Sequence, residues 1–157
     1  MFRVSRRVDY GLKLLIALAA DDNSTAQATS RLAERLDIPL AFLHQIGRSL
    51  IQAGILRSSP GPGGGLRLNQ PPEKITLLQI LETLDGPVRL SACLEDPEAC
   101  DEDENCASYQ MWPEIQNRLT RGLGQIRLST LAYHTQSKNN SFIPVPEFTN
   151  TGKPIAA

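Results

Sequence analysis

The chain has 157 residues, 41% of them hydrophobic and 21% charged, with a formal net charge of −1 at pH 7. That suits one ordinary domain, or a small domain with a helical appendage, and it is too apolar for a chain disordered throughout. The near-zero charge hides an asymmetry: residues 1–70 hold nine Lys/Arg against five Asp/Glu (+4), and residues 71–157 hold seven against twelve (−5). A basic half joined to an acidic half fits a nucleic-acid reader with a separate control region.

Arg6-Arg7 ahead of an apolar stretch imitates an export signal. Asp9 and Lys13 interrupt the approach, and the unbroken apolar run Leu14–Ala20 is only seven residues long. No run reaches the roughly 20 apolar residues that a membrane span needs. Three cysteines, an odd number, argue against a closed disulfide framework. The expectation is a cytoplasmic protein with reduced thiols.

The pattern predicts a first helix over 5–20, with Ser5 as N-cap and Val8, Leu12, Leu15, Ile16 and Ala19 at helical spacing. Asp9 lies near its start, where the helix dipole favours a carboxylate. Thr29 or Ser30 caps a short second helix over 31–36. Asp37-Ile38-Pro39 turns the chain. Pro39 then opens a third helix that runs to about Ala53 and stops at Gly54. In this helix Leu43, Ile46, Leu50 and Ile51 form the buried face, while Ala41, His44, Gln45, Arg48 and Gln52 lie on the outer one. A short helix, a tight turn and a longer helix with a polar face make a helix-turn-helix.

Two short strands follow, Ile55-Leu56-Arg57 and Leu66-Arg67-Leu68, joined by SSPGPGGG: a wing. The glycine tip is not a phosphate-cradling P-loop, because it has no Lys-Ser/Thr and opens into a strand rather than a helix. Thr76 caps a fourth helix with Leu77, Ile80, Leu81 and Leu84 on one face, stopped by Asp85-Gly86-Pro87. From about Met111 to Gln136 the seam Trp112, Ile115, Leu119, Leu123, Ile126 averages close to 3.5 residues. One continuous helix there would span roughly 36 Å. So long a helix has little to pack on in a small domain, which predicts a symmetric homodimer. Residues 137–157 show no periodicity and read as a flexible or peripherally docked tail, with Phe142, Ile143, Val145 and Phe148 able to dock.

Between the fourth helix and the seam lies CLEDPEACDEDENC. It holds all three cysteines, Cys93, Cys100 and Cys106, at C-x6-C-x5-C spacing, and seven of the ten residues 95–104 are acidic. Three thiols in fourteen residues suggest a segment built to hold something. Thiolates suit an iron–sulfur cluster. Zinc is a competitor, although the spacing lacks the short C-x2-4-C knuckle. Reversible thiol oxidation is the third reading. The acidic run lacks the alternating ligand pattern of an EF-hand. With His44 and His134 the only histidines, no catalytic constellation is visible, so an enzyme is not expected. A cluster-free interaction adaptor is the remaining rival.

With the wing and the cysteines placed, the chain resembles the Rrf-two family of winged-helix transcriptional regulators, the group of IscR-, NsrR- and RirA-like proteins. The resemblance covers about residues 1–135. It is carried by VDYGLKLLIALA, LAERLDIPLAFLHQIGRSLIQAGIL, GPGGGLRL, ITLLQILETLDGP, and the cysteine stretch before a Trp-containing helix. The resemblance implies a mainly α fold with a small β wing: a winged helix-turn-helix domain plus a long C-terminal dimerisation helix. The domains are then 1–87 for DNA binding, 88–110 for the cysteine-containing sensor, 111–136 for the dimerisation helix and 137–157 for the tail.

It further implies a homodimer on a palindromic double-stranded DNA operator. Cys93, Cys100 and Cys106 match the three cysteines that hold a 2Fe-2S or 4Fe-4S cluster in cluster-binding members. In IscR-like members a histidine three residues after the last cysteine is the fourth ligand; here that position is Tyr109. In NsrR-like members the fourth ligand is an acidic residue of the partner's first helix, and Asp9 matches that position. The recognition helix would offer Ala41, His44, Gln45 and Arg48 to DNA. Arg3, Arg31, Arg57 and Arg67 would offer phosphate contacts, with Gly63 and Gly64 at the wing tip. Arg6, Arg7 and Arg35 add to the basic half. His44 replaces a glutamate and Pro60 an arginine of the family pattern, so the target sequence is expected to differ.

Overall fold

In a computed structural model the backbone is described for residues 4–21, 25–91, 94 and 107–136, and the side chains for these except 107–110 and 136. The described residues form six helices and one two-stranded antiparallel sheet: α1 (Arg6–Ala20), α2 (Thr29–Leu36), α3 (Leu40–Gln52), β1 (Leu56–Ser59), β2 (Gly65–Leu68), α4 (Leu77–Asp85), α5 (Ala107–Gln125) and α6 (Leu128–Gln136). This is a winged helix-turn-helix with a C-terminal helical extension.

Helix α1 is the spine. Its N-cap Ser5 accepts the Val8 N–H at 3.2 Å, as the sequence predicts. Val8, Gly11, Leu14, Leu15 and Leu18 form its buried stripe. Around that stripe lie Leu32 of α2, Leu43, Ile46 and Leu50 of α3, Ile80 and Leu84 of α4 and Leu128 of α6, all at 3% exposure or less. Each such side chain contributes about 1.5–3 kcal/mol of burial. Gly11 is where α4 comes closest: a Cβ there would overlap the Leu84 Cδ1.

The helix-turn-helix turn is made by Asp37 in the left-handed conformation (φ 51°) and by buried Ile38, whose N–H donates to the Ala33 carbonyl at 3.0 Å. Aspartate tolerates that conformation better than most residues. Two sequence expectations shift here. Neither Thr29 nor Ser30 caps α2; both lie inside it, and the N-cap is Ala28, with no side-chain hydrogen bond. Pro39 is the N-cap of α3 rather than its first residue.

In the wing, β1 and β2 pair Leu56 with Leu68 on the buried side and Arg57 with Arg67 on the other. The wing is stitched to the core by Gln27, whose N–H donates to the Leu66 carbonyl at 2.9 Å and whose carbonyl accepts the Leu66 N–H at 2.8 Å. This close approach needs Gly65 (φ 151°), because a Cβ there would overlap the Gln27 carbonyl. Gln27 also donates through Nε2 to Asp21 Oδ2 at 2.8 Å, and Arg35 Nη2 meets the same oxygen at 2.8 Å. The Arg35 guanidinium, then Gln27, hold the Asp21 carboxyl below its ordinary value of 3.8.

The expected single helix from Met111 to Gln136 is two helices. The chain leaves helical geometry at Ile126-Arg127 and bridges Thr76-Arg127 instead. The Ile126 carbonyl accepts the Leu77 N–H, and the Leu128 N–H donates to the Ile75 carbonyl, each at 2.9 Å. Those backbone groups pair across the fold and so are lost to helix continuation. Helix α6 then folds back onto α1. Helix α5 itself begins at Ala107, four residues earlier than expected, and carries Pro113 within it. No described helix is long and apolar enough to cross a membrane.

Gly65→Ala is expected to destabilise the fold by about 1–3 kcal/mol, the usual range for forcing a strained backbone, and to lower the midpoint of chemical denaturation. Because the Asp21 carboxyl is lowered in the folded state, its contribution is present above the unfolded value of 3.8 and lost as pH falls through the lower folded value. The ion pair is substantially exposed, so the effect is a few tenths of a kcal/mol at most, by the roughly 0–1 kcal/mol worth of exposed pairs. Denaturation midpoints from about pH 5 down to pH 3 should therefore fall slightly more in the wild type than in Asp21→Asn.

Candidate nucleic-acid interface

Ala41, His44, Gln45 and Arg48 all point outward from α3 and are exposed, one turn after another. Of these, His44 and Arg48 line a notch of about 510 Å³ between α2, α3 and the wing; Ala41 and Gln45 do not. Its walls include His44 and Arg48 of α3, Thr29 and Ser30 of α2, and Ser58, Ser59, Gly64 and Gly65 of the wing; Leu40, Leu43 and Leu66 supply apolar lining.

The uncapped start of α2 opens into this notch. Its first intrahelical bond is Leu32 N–H to the Ala28 carbonyl, so the earlier N–H groups have no intrahelical acceptor. The positive end of the helix dipole, two hydroxyls and a nearby guanidinium make an environment suited to a phosphate. The sequence pattern does not single out these hydroxyls, because Thr29 and Ser30 read as caps and Ser58-Ser59 as part of a loop. The usable signal was a run of small hydroxyl residues at the two places flanking the recognition helix.

The wing adds charge. Arg57 and Arg67 stand directly opposite in the ladder, and like charges at such a pair repel. The Arg67 Nε is buried with no hydrogen-bond partner among the described residues. An anion bound between the two guanidiniums would offset both penalties. Gly63 is exposed and Gly64 half-buried at the wing tip, and Arg31 is exposed in the first turn of α2. Other arginines of the basic half are engaged within the protein: Arg35 with Asp21, and Arg7, whose Nη2 donates to Ser49 Oγ at 2.6 Å. Arg3 lies outside the described residues.

Asp9 is on the exposed side of α1, its carboxylate 3.0 Å from Lys13 Nζ. That ammonium lies 5.5 Å from the ring centre of Tyr10, which packs edge-on against Phe42 of α3. Asp9 is therefore linked to α3 through three successive contacts, by way of Lys13 and Tyr10. Cys93, Cys100 and Cys106 lie outside the described residues, so their arrangement with Asp9 is not on view. Among the described residues no group of three or more His, Cys, Asp or Glu side chains could hold a metal. His134, near the end of α6, stands apart from the notch.

The segment that leads to the cysteines is anchored at two points. Ser5 Oγ donates to Asp85 Oδ1 at 2.7 Å, joining the start of α1 to the end of α4. Gln116 of α5 accepts the Leu90 N–H at 3.1 Å through Oε1 and donates to the Val88 carbonyl through Nε2.

A recognition helix with an exposed polar face, an anion-ready helix start beside it and a basic wing define a winged-helix DNA-binding protein. Residues 4–134 match the Rrf2 family model, described as an iron-dependent transcriptional regulator, and the chain belongs to that Rrf2 (Rrf-two) family of transcriptional regulators, which are not enzymes. Among its relatives is an HTH-type transcriptional regulator of Haemophilus influenzae, 30% identical over 126 residues, 80% of this chain and 82% of that one. The regulator IscR of Aliivibrio salmonicida is 30% identical over 74% of this chain and 67% of its own. Among solved structures, CymR, the global cysteine regulator of B. subtilis, aligns with a TM-score of 0.72 at 26% identity, covering 85% of this chain and 98% of that one.

Arg48→Ala is expected to weaken binding to a mixed-sequence duplex and to lower the slope of log affinity against log salt by about 1, the signature of one lost phosphate contact. Fluorescence anisotropy at several salt concentrations measures both. An unchanged slope with reduced sequence preference would instead make Arg48 a base reader.

Proposed function

We propose that this regulator is a cytoplasmic homodimer that binds a palindromic operator and senses iron–sulfur or redox status through Cys93, Cys100 and Cys106. The observation that supports the DNA-reading geometry most is the notch where the exposed face of α3, the uncapped start of α2 and the wing converge. In this reading Gln45 and His44 face base edges and Arg48 either a guanine or a phosphate. Thr29, Ser30, Arg57 and Arg67 fix the backbone.

The homodimer reading rests on α5. The C-terminal half of its apolar seam, Leu119 and Leu123, packs on the chain's own core, while Met111 and Ile115 are 47% and 38% exposed. A second copy covering that N-terminal half places two recognition helices symmetrically. The domain plan then has residues 1–87 reading DNA, 88–110 sensing and 111–136 pairing the subunits, with α6 contributing to the core rather than to the seam.

The donor set fits an iron–sulfur cluster: three thiolates from Cys93, Cys100 and Cys106, and a carboxylate, Asp9 of the partner subunit, whose exposed position leaves it reachable from outside the chain. When bound, such a cluster supplies an iron- and redox-responsive link that is gained or lost as a unit. The chain's own part is to orient the ligands and to exchange the Asp9–Lys13 pair for ligation. Typical coupling of roughly 1–3 kcal/mol changes DNA affinity about 5- to 150-fold. The similarity to the global cysteine regulator CymR favours a second reading, in which the same thiols respond by oxidation without a cluster.

Anaerobic purification followed by absorption, iron and sulfide assays is expected to give brown protein with visible charge-transfer bands, lost in Cys93→Ala, Cys100→Ala and Cys106→Ala. Colourless protein with one zinc per chain overturns the cluster in favour of zinc. Colourless, metal-free protein whose duplex affinity changes on thiol oxidation supports the second reading. A reconstituted Asp9→Ala protein with an unchanged cluster spectrum removes Asp9 from the ligand set.

A further inference from the structure

Gln116 is the one buried polar or charged side chain among the described residues, at 6% exposure. It lies on α5 next to the seam residue Ile115. A buried primary amide has a donor and an acceptor on one rigid plane. Here both are used on one short stretch of chain: Oε1 takes the Leu90 N–H and Nε2 gives to the Val88 carbonyl. The side chain imitates a strand edge for residues 88–90. A slip of that segment by one residue would leave both bonds unmade, so the pair fixes register and not only proximity.

The position of this clamp gives it meaning. Leu90 precedes Cys93 by three residues, and Ala107, the first residue of α5, directly follows Cys106. Gln116 is nine residues along the same helix, roughly 14 Å at 1.5 Å per residue. The cysteine segment therefore leaves from a point held on α5 and rejoins α5 at its start. Just before that segment, Asp85 at the end of α4 is held to α1 by the Ser5–Asp85 bond. Helix α1 in turn grips α3 through Arg7–Ser49 and Tyr10–Phe42.

We propose that Gln116 is a positioning residue that registers the entry of the cysteine segment on α5, so that displacement of the segment is passed to α5 and, through Asp85 and Ser5, to the recognition helix. The regulatory consequence rests on the reading of the cysteines as a sensor; the clamp itself does not. An apolar residue at this position would bury as well but leave the Val88 carbonyl and Leu90 N–H unpaired, so the amide serves placement of the segment.

The test uses the full chain. Hydrogen exchange of residues 88–91 is measured in wild type and Gln116→Leu, together with alkylation rates of Cys93 and Cys106 by iodoacetamide and duplex affinity in dithiothreitol-reduced and diamide-treated protein. The expected result is a protected Leu90 amide in wild type. In Gln116→Leu, exchange is at least about tenfold faster, as for a lost local closed state, Cys93 alkylation shifts relative to Cys106, and the affinity ratio between the two thiol states moves toward one. Should Gln116→Leu not fold, Gln116→Met, which keeps the length of the side chain but has neither the amide N–H nor its carbonyl, carries the comparison. A Leu90 amide that exchanges freely in wild type overturns the proposal, as does a folded variant with unchanged exchange and alkylation. A wild type whose affinity ratio is already one removes the sensor reading, while the exchange data still decide the clamp.

Discussion

The buried stripe of α1 is the constraint on which the rest of the structure depends. Five other elements reach this one helix: α2, α3, α4, α6 and β2. Gly11 is what lets α4 cross it so closely, with Leu84 filling space that any side chain would claim. The ends of α1 then do different work. Its C-terminal side hands the chain to Asp21 and Gln27, and through Gln27 to the wing. Its N-terminal side holds α3 by Arg7 and Tyr10 and the end of α4 by Ser5. The reading helix and the approach to the cysteines are thus both fixed to the first two turns of one rigid rod.

The surface formed by α2, α3 and the wing carries features that are unfavourable in the free protein. Helix α2 begins without a side-chain cap, a lapse worth about 1 kcal/mol where measured elsewhere. Arg57 and Arg67 face each other across the wing, and one guanidinium nitrogen is buried without a partner. A phosphate backbone bound there would relieve each of these, since it would accept from free N–H groups and neutralise paired cations. Arg35 shows the contrast: it has its carboxylate in Asp21 and is committed to holding the fold.

Much of this was legible in the chain. The stripe of α1, the turn at Asp37, the outer face of α3, the glycine wing and the Thr76 cap all follow from spacing and turn chemistry, because each is decided by residues close in sequence. What was not legible depends on backbone pairing between distant segments. The break between α5 and α6 lies in an uninterrupted helical pattern; it exists because Ile126 and Leu128 find partners in residues 75–77, about fifty positions earlier. The Gln27–Leu66 bridge is of the same kind. Gln116 was invisible for another reason: a glutamine among exposed polar neighbours reads as solvent-facing, and only the return of residues 88–90 buries it.

These same distant pairings decide how α5 can act. Near its C-terminal end it is tied to the approach to α4 through Ile126 and Arg127, and at its middle to the strap of residues 88–90 through Gln116. Two attachment points along a helix fix its direction as well as its position, which one would not. Only the N-terminal turns, with Met111 and Ile115 outward, lie beyond both ties. A second copy seated there meets a helix whose orientation is already set by α4 and the strap, and these are set by α1. In the proposed pair, the separation of the two α3 helices would then be governed less by the apolar contact itself than by the two polar attachments behind it. Apolar packing tolerates small rotations, whereas a paired amide and a backbone bridge do not.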